Sequence, residues 1–113
     1  MKYIKLFEKS LEDFKLKDTR DIVNLRIDFR SHKEIEKINN IISSFFKSYE
    51  FVDEEGYINN FFRIHYKKHS IYIYKMKDDY YLLNIRPVIF YQCDQLSQLR
   101  EILNIIKEKY KDV

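Results

Sequence analysis

The sequence predicts an α+β fold: a single domain over residues 1–113, built as a two-layer sandwich with a mainly antiparallel sheet of about four or five strands and about three helices, in the order α-β-α-β-β-β-α. Three observations carry this. Val23, Leu25, Ile27 and Phe29 alternate strictly with Asn24, Arg26, Asp28 and Arg30, the two-residue period of a half-buried strand. From Phe61 to Tyr91 the chain is rich in aromatic and β-branched residues and is cut by short polar turns. Three further stretches repeat their apolar residues every three or four positions.

The first of those stretches, residues 2–16, places Ile4, Phe7, Leu11 and Phe14 on one helical stripe. The strand over 22–30 follows. Ser31-His32-Lys33-Glu34 has the form of a capping box, so a helix is expected to start there, with Ile35, Ile38, Ile42, Phe45 and Tyr49 facing inward and an end before the acidic turn at Asp53, Glu54 and Glu55. Strands are expected near 61–67, 70–77 and 80–91, with Pro87 bending the last or placing it at an edge. The turns between them lack glycine, so loops longer than two residues are expected. Asp94 is the expected N-cap of a final helix carrying Leu96, Leu99, Leu103, Ile106 and Tyr110. The strand over 22–30 could pair parallel to the one beginning at Phe61 through a right-handed crossover.

Composition excludes several classes. One glycine and one proline leave no material for a Gly-rich phosphate loop, a flexible linker or a collagen-like chain. A single cysteine, Cys93, permits no internal disulfide, so a reducing, cytoplasmic setting is expected. No run approaches the length of a membrane span, and charge interrupts the first residues too early for a signal peptide, so no membrane partner is expected. The absence of alanine beside 16 Ile, 15 Lys, 10 Tyr, 9 Phe and 7 Asn points to an AT-rich coding genome, as in low-GC bacteria, their phages and some viruses.

The net charge of +3 is uninformative as a total, but its distribution is not. The expected strands hold Arg26, Arg30, Arg63, Lys67, Lys75, Lys77 and Arg86 against Asp28, while loops hold most of the balancing acids. If the apolar residues of each strand face the helices, Arg26, Arg30, Arg63, His65, Tyr72, Tyr74 and Arg86 gather on the opposite face of the sheet, with Asn84 among them. Such a face suits an acidic protein surface, for which Tyr and Arg are favoured anchors, or RNA or single-stranded DNA, through base stacking and phosphate contacts. An ordinary solvated face, with each charge neutralised locally, would have the same composition.

Signals for chemistry are sparse. His65 and His69 are separated by an expected turn, so no metal site and no cofactor are assigned. Cys93 beside Asp94 opens a helix and could be an activated thiol; a buried small hydrophobe is the simpler reading. Ile102 and Ile105 broaden the last helical stripe, through either core packing or a homodimer seam. The segment from Ser31 to Lys109 resembles a double-stranded RNA binding domain in element order only: Asp94-Gln95-Leu96-Ser97-Gln98-Leu99 lacks that family's basic cluster. The sequence therefore points to a small non-enzymatic protein that binds another protein, of the accessory, inhibitor or immunity type, with nucleic-acid binding as the alternative and an enzyme near Cys93 as a third reading.

Overall fold

The computed structural model describes residues 11–16, 25–54, 59–85 and 89–111. Within them the chain forms a six-stranded, antiparallel sheet with two helices on one face, so the α+β class stands and the strand count exceeds the expectation by one. The expected first helix lies largely outside the described residues; its end, Leu11–Phe14, is a single 3-10 turn that buries Leu11 and Phe14.

The expected strand over 22–30 shrinks to β1, Arg26–Ile27. It pairs antiparallel with the end of β4, His69–Met76, and not parallel to the strand at Phe61. Its alternation is real but short: Phe29 is buried, whereas Leu25 and Ile27 are 37% and 39% exposed. The ladder stops at Asp28, whose Oδ1 accepts from the Asn60 amide at 2.8 Å, turning the chain away from β4.

Helix α1, His32–Ser43, starts where the capping box places it. Ser31 is extended and its Oγ accepts from the Glu34 amide at 3.2 Å. Only half of the box forms, because the Glu34 side chain is engaged elsewhere. The helix ends six residues short of Tyr49. The Ser43 and Ser44 hydroxyls donate to the Asn40 carbonyl, a competing bond that helps release the chain. Tyr49–Val52 then forms β2, with Tyr49 and Phe51 directed to the helix side and Glu50 and Val52 to the other.

The remaining strands are β3 (Phe61–Tyr66), β4, β5 (Tyr80–Ile85) and β6 (Ile89–Cys93), in spatial order β2-β3-β4-β5-β6. Pairing of Tyr66 with His69 leaves a two-residue turn, tighter than expected, in which Lys67 takes φ 57°, a left-handed value without glycine. The next turn spans three residues, between Met76 and Tyr80, and has Asp78 and Asp79 at positive φ, which aspartate tolerates better than most residues.

Helix α2, Leu96–Tyr110, closes the fold. Its N-cap is Gln95 and not Asp94; the Asp94 amide instead donates to Gln98 Oε1 at 2.8 Å. Leu99, Ile102, Leu103 and Ile106 are fully buried and Ile105 packs on the same core, so the broad stripe is used within the molecule. With Ile38 and Ile42 of α1 they cover Phe62, Ile64, Ile71, Ile73 and Leu83, side chains that contribute roughly 1.5–3 kcal/mol each by burial.

Candidate binding face and a charged cleft beside it

Alternation and register decide which side chains share the face away from the helices. Tyr72 lies between Arg63 and Asn84 across neighbouring strands, Tyr74 lies beside Leu82, and His65 lies beside Ser70. Arg26 stands opposite Met76 on the same side. The structure thus brings together Arg26, Arg63, His65, Tyr72 and Tyr74. Arg30 is not among them: it follows the break at Asp28 and lies at the rim of a cleft on the helix side. Arg86 lies outside the described residues. Lys67 and Lys77 fall in turns, and Lys75 points to the helix side with Ile71 and Ile73.

The face is neither uniformly open nor uniformly basic. Toward β5 and β6, Met76 and Leu82 are fully buried, packed with Tyr74, Tyr80, Phe90 and Leu16, whose amide donates to the Phe90 carbonyl at 2.9 Å. Toward β2 and β3 lies an aromatic cluster: the Phe61 ring is 5.8 Å from Tyr72 and 5.6 Å from Tyr74, whose rings are nearly parallel at 6.2 Å. The Arg26 guanidinium sits 4.0 Å over the Tyr74 ring, within cation–π range.

Arg63 is locally neutralised. Cross-strand pairing sets it opposite Glu50, whose Oε1 accepts from both Nε and an Nη of the guanidinium. That bond holds the Glu50 carboxyl below its usual range and raises Arg63 further. His65 Nε2 lies 3.8 Å from the same oxygen. Glu50, expected among the loop acids, is instead a strand residue of this face; the alternation Tyr49-Glu50-Phe51-Val52 is the sequence signal for that placement.

On the helix side, the gap between β1 and the start of α1 is an open cleft of about 540 Å³ lined by Ile27, Asp28, Arg30, Ser31, Glu34, Lys75 and Asp79. Its charged members include a network whose partners are more than 40 positions apart in the chain. Lys75 Nζ donates to Glu34 Oε2 at 2.7 Å, the Tyr81 hydroxyl donates to the same oxygen at 2.5 Å, and the ammonium lies 4.8 Å over the Tyr81 ring. Burial and the Glu34 contact push the Tyr81 hydroxyl well above the ordinary tyrosine range.

Cys93 is fully buried, and its thiol donates to the Gln95 carbonyl at 2.9 Å. Burial raises it from 9.0 to about 12, the opposite of thiolate activation. Burial likewise raises Tyr91 to about 12. These groups are held protonated in the fold, so their contribution is complete at neutral pH. It is lost as pH rises from the ordinary thiol value of 9.0 through the folded values near 12. The denaturant midpoint is therefore expected to be flat near neutrality and to fall above about pH 9, and Cys93→Ala is expected to delay that fall. Identical alkaline profiles for the two proteins would contradict the assignment.

Among the described residues no group of three or more His, Cys, Asp or Glu could hold a metal ion, and no helix is long and apolar enough to cross a membrane. His65 and His69 occupy different strands, His69 Nε2 being buried without a hydrogen-bond partner beside the Tyr110 ring. No family model matches the chain, and neither a curated protein nor a solved structure matches it.

Proposed function

We propose that the chain is a small, non-enzymatic protein-binding domain that engages its partner through the Arg26, Phe61, Tyr72 and Tyr74 part of the sheet face. The observation that carries this is the placement of Arg26 over Tyr74, 4.0 Å from the ring centre, beside two further aromatic rings. Tyr and Arg held rigid in this way are the residue types that dominate interface energetics. In this reading the partner lays an apolar side chain on Phe61 and Tyr72 beside the Arg26 guanidinium, which is seated on the Tyr74 ring. A role as an accessory, inhibitor or immunity factor is consistent with that mode.

Nucleic acid fits the same face less well. A base would need an uncovered ring, and one side of Tyr74 is occupied by Arg26. Phosphate tracking needs several uncommitted cations, and Arg63 is committed to Glu50.

The test is affinity capture with the intact chain and matched variants. Tyr72→Ala and Arg26→Ala are each expected to reduce recovery of a stoichiometric protein partner about tenfold, with Lys109→Ala on the far helix unchanged. Loss of no protein with either substitution, together with salt-sensitive binding of a single-stranded oligonucleotide, would replace this reading with the nucleic-acid one.

A further inference from the structure

One end of the molecule collects lysines from segments distant in sequence. The turn from β3 to β4 supplies Lys67 and Lys68, the end of α2 supplies Lys107 and Lys109, and the loop after α1 supplies Lys47. Three contacts hold these segments together: the Tyr66 hydroxyl donates to the Lys107 carbonyl at 3.1 Å, the His69 and Tyr110 rings lie 4.5 Å apart, and the His65 amide donates to the Ser48 carbonyl at 2.9 Å. Lys47, Lys67, Lys68 and Lys109 are exposed, and Lys107 is half-buried.

The balance of charge at this end is positive with its carboxylates counted. Glu50 is joined to Arg63, and Glu108 lies 3.2 Å from Lys111. Glu101 stands six residues before Lys107, about 9 Å back along the helix axis. None of the five lysines has a carboxylate partner among the described residues. Asp112 lies outside the described residues, and setting it against the five leaves the excess in place. Asp53, Asp78 and Asp79 belong to the opposite end of the sheet, beyond Val52 and Met76. Lys107 and Lys109 complement the carbonyl end of α2, but helix polarity does not account for Lys47, Lys67 and Lys68. Lys67 moreover takes φ 57°, a left-handed position that glycine or asparagine fills at lower cost.

The kind of partner follows from what accompanies the lysines. Tyr66 packs against Phe46 at 5.1 Å, Tyr110 packs against His69, and both rest on the core, so neither ring stands clear to stack on a base. The exposed large hydrophobics among the described residues, Leu25 and Ile27, lie around β1 at the other end, away from any bilayer these lysines would meet. Lysines are point charges on flexible stems without a fixed pattern of acceptors. They suit the phosphates of a duplex more than unpaired bases or the 2′-hydroxyls that mark RNA.

We propose that this lysine-rich end docks on the phosphate backbone of double-stranded DNA without reading its sequence. The surface is separate from Arg26 and Tyr74 and does not depend on that face binding a protein.

Fluorescence anisotropy of a labelled DNA duplex of about 20 base pairs, titrated with the intact chain, measures this. Affinity is expected to fall about a hundredfold between about 50 and 200 mM salt, as for about four phosphate contacts. The triple variant Lys67→Asn, Lys68→Gln and Lys109→Gln is expected to bind about tenfold more weakly at low salt and to lose about 2 to 3 from the salt slope. Lys68→Arg with Lys109→Arg, which keeps the charge, is expected to bind as the parent does. Arg26→Ala on the sheet face is expected to change the affinity about twofold or less. Any of four results would overturn the proposal: no duplex binding at low salt, an undiminished salt slope in the triple variant, tighter binding of single-stranded DNA or duplex RNA, or tighter binding to vesicles of phosphatidylserine and phosphatidylcholine.

Discussion

Replacing Glu34 with leucine is expected to destabilise the fold by about 3 kcal/mol, because it strands a buried cation. The Lys75 side chain is 11% exposed, and its Nζ has Glu34 Oε2 at 2.7 Å as its near counter-ion. Without Glu34 the ammonium keeps, among the described residues, the Tyr81 ring and one carboxylate, Asp79, at 3.6 Å and on a side chain 92% exposed, and the Tyr81 hydroxyl loses its acceptor. The double variant Glu34→Leu with Lys75→Met removes both charges and fills similar volume, so it is expected to lie within about 1 kcal/mol of the parent. Denaturant unfolding of the four proteins of the cycle measures this. A single substitution costing as little as the double one would show that the pair is effectively solvated.

That pair also shows what the sequence made legible. The alternation Ile71, Tyr72, Ile73, Tyr74, Lys75, Met76 sorts one face from the other, and the structure follows it throughout β4. The same alternation places Lys75 inward, among Ile71 and Ile73, where a buried ammonium requires a partner. The fold class was readable because strands with a two-residue period and helices with a three-to-four period leave separate traces.

What was not readable depended on contacts distant in sequence. Tyr49 continues the helical spacing set by Ile42 and Phe45, so β2 was hidden inside a longer helix. With β2 unseen, the pairing of Glu50 with Arg63 was unseen too, and the face was expected to be more basic than it is. Arg30 was assigned to the sheet because the residues through Phe29 alternate correctly, yet the ladder ends where Asp28 meets the Asn60 amide, 32 positions away. The covering of Met76 and Leu82 by Leu16 is likewise a tertiary fact with no local trace.

Asn60 is where the second large effect is expected. Its side chain is a two-way bridge to one residue: Oδ1 accepts from the Phe29 amide at 2.7 Å and Nδ2 donates to the Phe29 carbonyl at 3.0 Å, both buried. Nδ2 also reaches Asp53 Oδ1 at 3.5 Å. These bonds hold Phe29 against the rings of Phe62 and Phe51, with centroids at 5.3 and 6.0 Å. Asn60→Ala leaves a buried amide and a buried carbonyl unpaired, each worth roughly 1–3 kcal/mol, so a total loss of about 3 kcal/mol is expected. Asn59→Ala is the comparison: its Nδ2 makes one part-buried bond, to the Arg26 carbonyl at 3.3 Å, and about 1 kcal/mol is expected there. Hydrogen exchange localises the effect, with the Phe29 amide losing protection in the Asn60 variant and keeping it in the Asn59 variant. Because Phe29 follows Arg26 by three positions, the Asn60 variant is also expected to weaken binding at the proposed sheet face. Undiminished stability with a protected Phe29 amide would mean that strand pairing and ring packing hold this segment without the asparagine.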